Sequence, residues 1–171
     1  MYLPVVSTMM ALAFNGHAPA PNEYSILNLR PHQSLVIRYE SVGCFHHFVY
    51  RFEFTENHVI IYDLGFGEPG HRKKKIGKFV LNDEDLIKLD RLFAYYAENP
   101  EGGCTTIDTI KFTERDGSRR LRSTTYVDAS CTTTDRPGML SLSRLAFRLI
   151  KEQGRRKRGA GSSDRSSEQW R

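Results

Sequence analysis

Four aromatic residues, Phe48, Tyr50, Phe52 and Phe54, alternate strictly with Val49, Arg51 and Glu53. Period-two alternation puts all four rings on one face of a β-strand and the charged side chains on the other. In a helix the same spacing would scatter the rings around the circumference and bury Arg51 and Glu53. The chain is therefore committed to a sheet with one apolar face that must be covered. Thr55-Glu56-Asn57 then turns into the β-rich run His58-Val59-Ile60-Ile61-Tyr62, which predicts a hairpin. Leu35, Ile37 and Tyr39 show the same alternation just upstream. A glycine-rich and then basic loop leads to a further strand near Ile76 to Leu81.

The pattern changes at Asn82. This residue suits a helix N-cap, and Asp83, Glu84 and Asp85 fill the first turn, where the helix dipole favours anions. Leu86, Leu89, Phe93 and Tyr96 follow at three- and four-residue steps, the apolar stripe of an amphipathic helix. Thr105 to Glu114 and Arg119 to Val127 read as two strands joined by Arg115-Asp116-Gly117-Ser118. Asp135 is placed to cap a last helix carrying Leu142, Leu145, Ala146, Leu149 and Ile150, with Gly154 as its stop. The predicted order is β-β-β-β-α-β-β-α: an α+β domain, an antiparallel sheet with its helices packed on one face.

The expected organisation is a leader and linker over 1–33, one domain over 34–153, and a disordered basic tail over 154–171. Val5 to Phe14 has the length of a signal-peptide apolar region, and Ala18-Pro19-Ala20 has the small-x-small form of a cleavage site. No lysine or arginine precedes the apolar run, and Pro21 would follow the cut. No apolar run approaches the roughly 18 residues of a membrane span. The net charge of +5 on 171 residues is unevenly spread. Residues 151–171 carry seven Lys or Arg and three Asp or Glu, so the first 150 residues carry only +1. The bulk charge is thus a property of the tail and is weak evidence for nucleic acid.

Val36-Ile37-Arg38-Tyr39-Glu40, Cys44-Phe45, Tyr50-x-Phe52, Ile60-x-Tyr62, Ile76-Gly77 and Leu81-Asn82-Asp83-Glu84 together resemble a domain of unknown function found in bacterial envelope proteins and lipoproteins. The resemblance covers about residues 35–150. That family shows Cys-Phe-Gly followed by Cys-Pro, where this chain has Cys44-Phe45-His46-His47-Phe48, so a local disulfide in that loop is absent. The resemblance implies an envelope address, periplasmic or secreted, and carries no catalytic residues with it.

Three cysteines do not make a paired framework. With Asp116 and Gly117 as the central pair of the second hairpin, Cys104 would face Ala129, and Cys131 would be its diagonal neighbour. That predicts a Cys104–Cys131 disulfide in an oxidising compartment. Cys44, His46 and His47 are the densest group of metal-capable ligands. A site needs three or four such groups converging at about 2.0–2.3 Å, and an extended segment points 46 and 47 to opposite faces. Cys44 with either histidine, and Asp108 or Asp128 as orienting acid, is the nearest approach to a nucleophilic arrangement.

Gly65-Phe66-Gly67-Glu68-Pro69-Gly70 spells a dinucleotide-type glycine motif but leads into a strand, not the helix whose N-terminus would hold the pyrophosphate. Arg72, Lys73, Lys74, Lys75 and Lys78 could contact a polyanion. Neither a cofactor nor a catalytic set is expected. The leading expectation is a non-catalytic envelope or secreted module binding an unidentified protein or envelope ligand. A metal or redox module on Cys44, His46 and His47, and an intracellular nucleic-acid binder using the Arg72–Lys78 loop and tail, are its rivals.

Overall fold

The computed structural model describes residues 24–56, 58–65, 73–98, 102–130 and 136–162, with backbone alone over 156–162. Six strands form one antiparallel sheet in the order β4-β3-β2-β1-β5-β6. They are β1 (Gln33–Gly43), β2 (His46–Thr55), β3 (His58–Asp63), β4 (Lys74–Val80), β5 (Ile107–Asp116) and β6 (Arg119–Asp128). Helix α1 (Asp83–Ala97) separates the two hairpin groups, and α2 (Leu142–Ser162) ends the described chain. The α+β class, the element order and the antiparallel sheet are those the periodicities predict.

The aromatic face of β2 is the centre of the core. Phe52 and Phe54 are fully buried, and Phe54 meets Phe93 of α1 edge-on at 6.0 Å. Phe93 in turn packs edge-on against Phe112 of β5 at 5.1 Å. Leu89, Leu92 and Tyr96 of α1 and Leu142, Leu145, Ala146 and Leu149 of α2 close over the same face. Side chains of this size contribute about 1.5–3 kcal/mol each on full burial, so this single layer of contacts dominates stability. Asn82 caps α1 by accepting from the Asp85 amide at 2.8 Å. Asp85 also takes a bidentate pair of hydrogen bonds from Arg148 of α2, at 3.0 and 2.7 Å, which ties the two helices.

Four expectations need correction. The domain does not begin at 34, because Tyr24 and Ile26 are core residues, each 2% exposed. Tyr24 stacks on Phe112 at 5.1 Å, and the Ile26 amide donates to Asp90, so this short segment closes the core beside α1. Gly154 does not stop the last helix, which runs on to Ser162. One interior glycine costs only about 1 kcal/mol, and the following Arg155-Arg156-Lys157-Arg158 are good helix formers. The tail expected from residue 154 is therefore helical to 162, and its remainder lies outside the described residues. Ser141, not Asp135, caps α2, since the Arg144 amide donates to its hydroxyl and the Leu145 amide to its carbonyl. Asp135 lies outside the described residues.

The fourth correction concerns register. Asp116 pairs with Arg119, so Gly117 and Ser118 form the turn, with Gly117 in the left-handed region at φ 55°. An irregularity between Glu114 and Arg115 then shifts the ladder by one more residue. Beyond the strands the chain nevertheless returns to the expected neighbour, because the Cys104 amide donates to the Ala129 carbonyl at 2.9 Å.

Candidate functional site

The helices cover one face of the sheet; among the described residues no element packs on the other. Register assigns the residues of this open face without ambiguity. One unbroken rung runs Thr125–Lys111–Arg38–Arg51–Tyr62–Lys75 across all six strands. Four of its six members are cations, and Lys111, Arg38 and Arg51 stand directly opposite one another. Directly opposed like charges cost roughly 0.2–1 kcal/mol per pair. Two carboxylates offset part of this: Glu40 pairs with Arg38 at 2.6 Å and Glu53 with Arg51 at 2.5 Å. Partial burial works against ionising Glu40, yet hydrogen bonds from His47 and Arg38 hold its carboxyl below the ordinary range.

Next to the rung lie Lys78, opposite Ile60, and Lys73, whose ammonium sits 3.7 Å from the centre of the Tyr62 ring. Lys75, Lys78 and Lys111 make no ion pair among the described residues. Towards the β1–β2 turn the same face becomes apolar. Val42 and Ile107 face each other and Val127 lies one rung away, at 44%, 47% and 50% exposure. Val49 is the exception on this face, fully buried among its neighbours.

Of the residues singled out for polyanion contact, Lys75 and Lys78 therefore stand on the open face and Lys73 reaches it. Lys74 pairs with Asp63 on the alternate register, and Arg72 lies outside the described residues. Arg38, Arg51 and Lys111 were missed. Each reads in sequence as the ordinary polar position of an alternating strand, and only the pairing of β5 with β1 aligns them.

The Cys44–His46–His47 group is divided by the pleat. His47 turns to the open face and hydrogen-bonds Glu40 at 3.0 Å, whereas His46 turns to the core face and meets the Ser41 hydroxyl at 3.0 Å. Cys44 is a free, exposed thiol at the turn. No group of three His, Cys, Asp or Glu side chains converges on a common point among the described residues. Cys104 is disulfide-bonded, and Cys131 lies outside the described residues.

A second polar cluster lies inside the core at the same end. Asp108 and Asp128 face each other across β5 and β6, at 9% and 3% exposure. The Tyr39 hydroxyl donates to Asp108 Oδ2 at 2.9 Å, while Asp108 Oδ1 is buried with no hydrogen-bond partner. Burial pushes the Asp108 carboxyl up; hydrogen bonds from Ser41 and Tyr39 oppose this, and the nearby Asp128 charge adds to it. Burial and the Asp108 carboxylate also raise the Tyr39 phenol far above its usual range. Ser41, His46 and Asp108 superficially suggest a nucleophile, base and acid. The carboxylate, however, sits beside the serine rather than behind the histidine, and Ser41 is only 2% exposed. An orienting acid must bond the far ring nitrogen of the base, and the nucleophile must reach a substrate carbonyl. This trio does neither.

No helix among the described residues is long and apolar enough to cross a membrane. Comparison with family models, with curated proteins and with solved structures finds no match to this chain in any of the three.

Proposed function

We propose that this chain is a non-catalytic binding module of the bacterial envelope or its secreted fraction, with the open sheet face as its contact surface. The observation that carries the reading is the one-sided packing: both helices cover one face and leave a charged rung and an apolar patch on the other. Directly opposed like-charge rungs are not expected of a surface selected for stability alone. An envelope address is supported by the apolar stretch Val5–Phe14, by the resemblance of residues 35–150 to an envelope-protein domain, and by the disulfide state of Cys104. Cys131 is its proposed partner, since Cys44 is free and the Cys104 amide bonds the backbone at Ala129.

Two measurements test the reading. Protein taken from its native host should be found outside the cytoplasm and should titrate one free thiol per chain; three free thiols in a cytoplasmic protein would refute the address. A photo-crosslinking residue at Thr125 of the open face should give a discrete adduct in the host. The same residue at Ile87 of α1, on the helix side, should not; adducts from Ile87 alone would refute the contact surface.

A further inference from the structure

The near-neutral charge of the first 150 residues conceals a strongly polarised fold. Arg38, Arg51, Lys73, Lys75, Lys78 and Lys111 share or overhang one face on which, among the described residues, Glu40 and Glu53 are the anions paired with them. With +1 over residues 1–150, the remainder of the domain is correspondingly acidic. The rung spans five strand spacings, about 24 Å, and the longer strands run about 33 Å. A face of these dimensions is on the order of 800 Å², comparable to the roughly 800 Å² per partner of a standard protein–protein interface.

Resting on the contact surface proposed above, we infer that its partner is a protein whose docking surface combines acidic side chains with an apolar anchor. Three observations select this occupant. Lys75, Lys78 and Lys111 are exposed cations without a counter-ion among the described residues, so an acidic partner would supply the missing charges. Val42, Ile107 and Val127 lie on the same face towards the β1–β2 turn, with Val127 one rung from Lys111, and offer apolar area that a polynucleotide backbone would not use. Tyr62, the aromatic ring of the rung, already has Lys73 over it at 3.7 Å, which leaves it poorly placed to stack a base. A second copy would bring the same positive face against itself. Nor do the longer segments outside the described residues have that acidic composition: residues 163–171 carry Asp164 and Glu168 against Arg165 and Arg171. Residues 1–23 contain one acidic residue, Glu23, and residues 66–72 contain Glu68 alongside Arg72.

The test uses the full chain and fluorescence anisotropy of labelled 20-residue peptides. One peptide is all glutamate; the other has leucine at every fourth position. The leucine-containing peptide should bind more tightly, and its affinity should fall at least tenfold in the Lys75→Glu/Lys111→Glu variant. Neither lysine side chain makes an ion pair or hydrogen bond among the described residues, and Lys111→Glu places an anion opposite Arg38, so melting temperature should hold or rise. Arg165→Glu/Arg171→Glu, the same charge change in the tail, should alter affinity less than twofold. Val42→Ser/Val127→Ser should erase the advantage of the leucine peptide. Equal binding by wild type and Lys75→Glu/Lys111→Glu overturns the inference, as does tighter, equally variant-sensitive binding of a 20-nucleotide oligothymidylate. Methyl NMR separates this from the underlying reading. Shifts at Val42 and Val127 that survive charge reversal would refute the acidic partner but keep the contact face. Shifts confined to Ile87 would refute both.

Discussion

Gly102 and Gly103 are sequence neighbours with opposite constraints. A Cβ on Gly102 would lie 2.4 Å from Ser130 Cα and 2.8 Å from the Ala129 carbonyl, both backbone atoms, whereas a Cβ on Gly103 meets nothing within 4 Å. Gly102→Ala should therefore cost about 1–3 kcal/mol by forcing the two segments apart, while Gly103→Ala should cost far less; paired urea denaturation curves check this. Asp108 offers a second test. Its carboxyl titrates above its usual range in the folded state, so its contribution is fully present below the unfolded value near 3.8 and is lost as pH rises through the folded value. Asp108→Asn removes that loss. The variant should match the wild type near pH 3 and gain on it progressively up to pH 7, read from urea denaturation at a series of pH values. A gap that narrowed with rising pH would contradict the burial of the charge.

At the scale of elements, the two helices depend on each other as well as on the sheet. Asp85, in the first turn of α1, is 13% exposed and bidentate to Arg148 of α2. Glu84 beside it is 74% exposed and pairs with Lys88, one turn on. Asp85→Ala should cost about 1.5–3 kcal/mol, the scale of a charge-assisted hydrogen bond, and Glu84→Ala about 0.5 kcal/mol or less; thermal melts of the two variants give the ratio. These elements were largely legible beforehand. Asn82 with three acidic residues behind it, and Leu86, Leu89, Phe93 and Tyr96 in one stripe, describe α1 almost to the residue. The α2 boundaries were not legible, because a Ser141 cap and a continuation through Gly154 look no different from their alternatives until packing chooses between them. Tyr24 and Ile26 were missed for a similar reason: two apolar residues in a short segment carry no periodicity.

For the molecule as a whole, Cys104 is disulfide-bonded beside the open end of the β5–β6 hairpin. With the proposed partner Cys131, the closed loop of about 28 residues should contribute about 3.6 kcal/mol. Reduction under native conditions should lower stability by that amount, and Cys44→Ser should leave it unchanged, both read from denaturant midpoints. The aromatic alternation in β2, the cap of α1 and the turn at Gly117 are local, governed by neighbours within a few positions, and so the α+β class and the one-faced sheet could be read from the chain. Which strands lie side by side is not local. Lys111 and Arg38 are far apart in the sequence, and nothing at either position signals the other. Only the docking of β5 against β1, driven by burial of Phe112 and Ile37 on the opposite face, turns scattered basic residues into one rung beside an apolar patch. The sequence by itself determined that one face of the sheet would be buried. The tertiary structure decided what the other face displays, because cross-strand register is set by core packing that the exposed residues do not control.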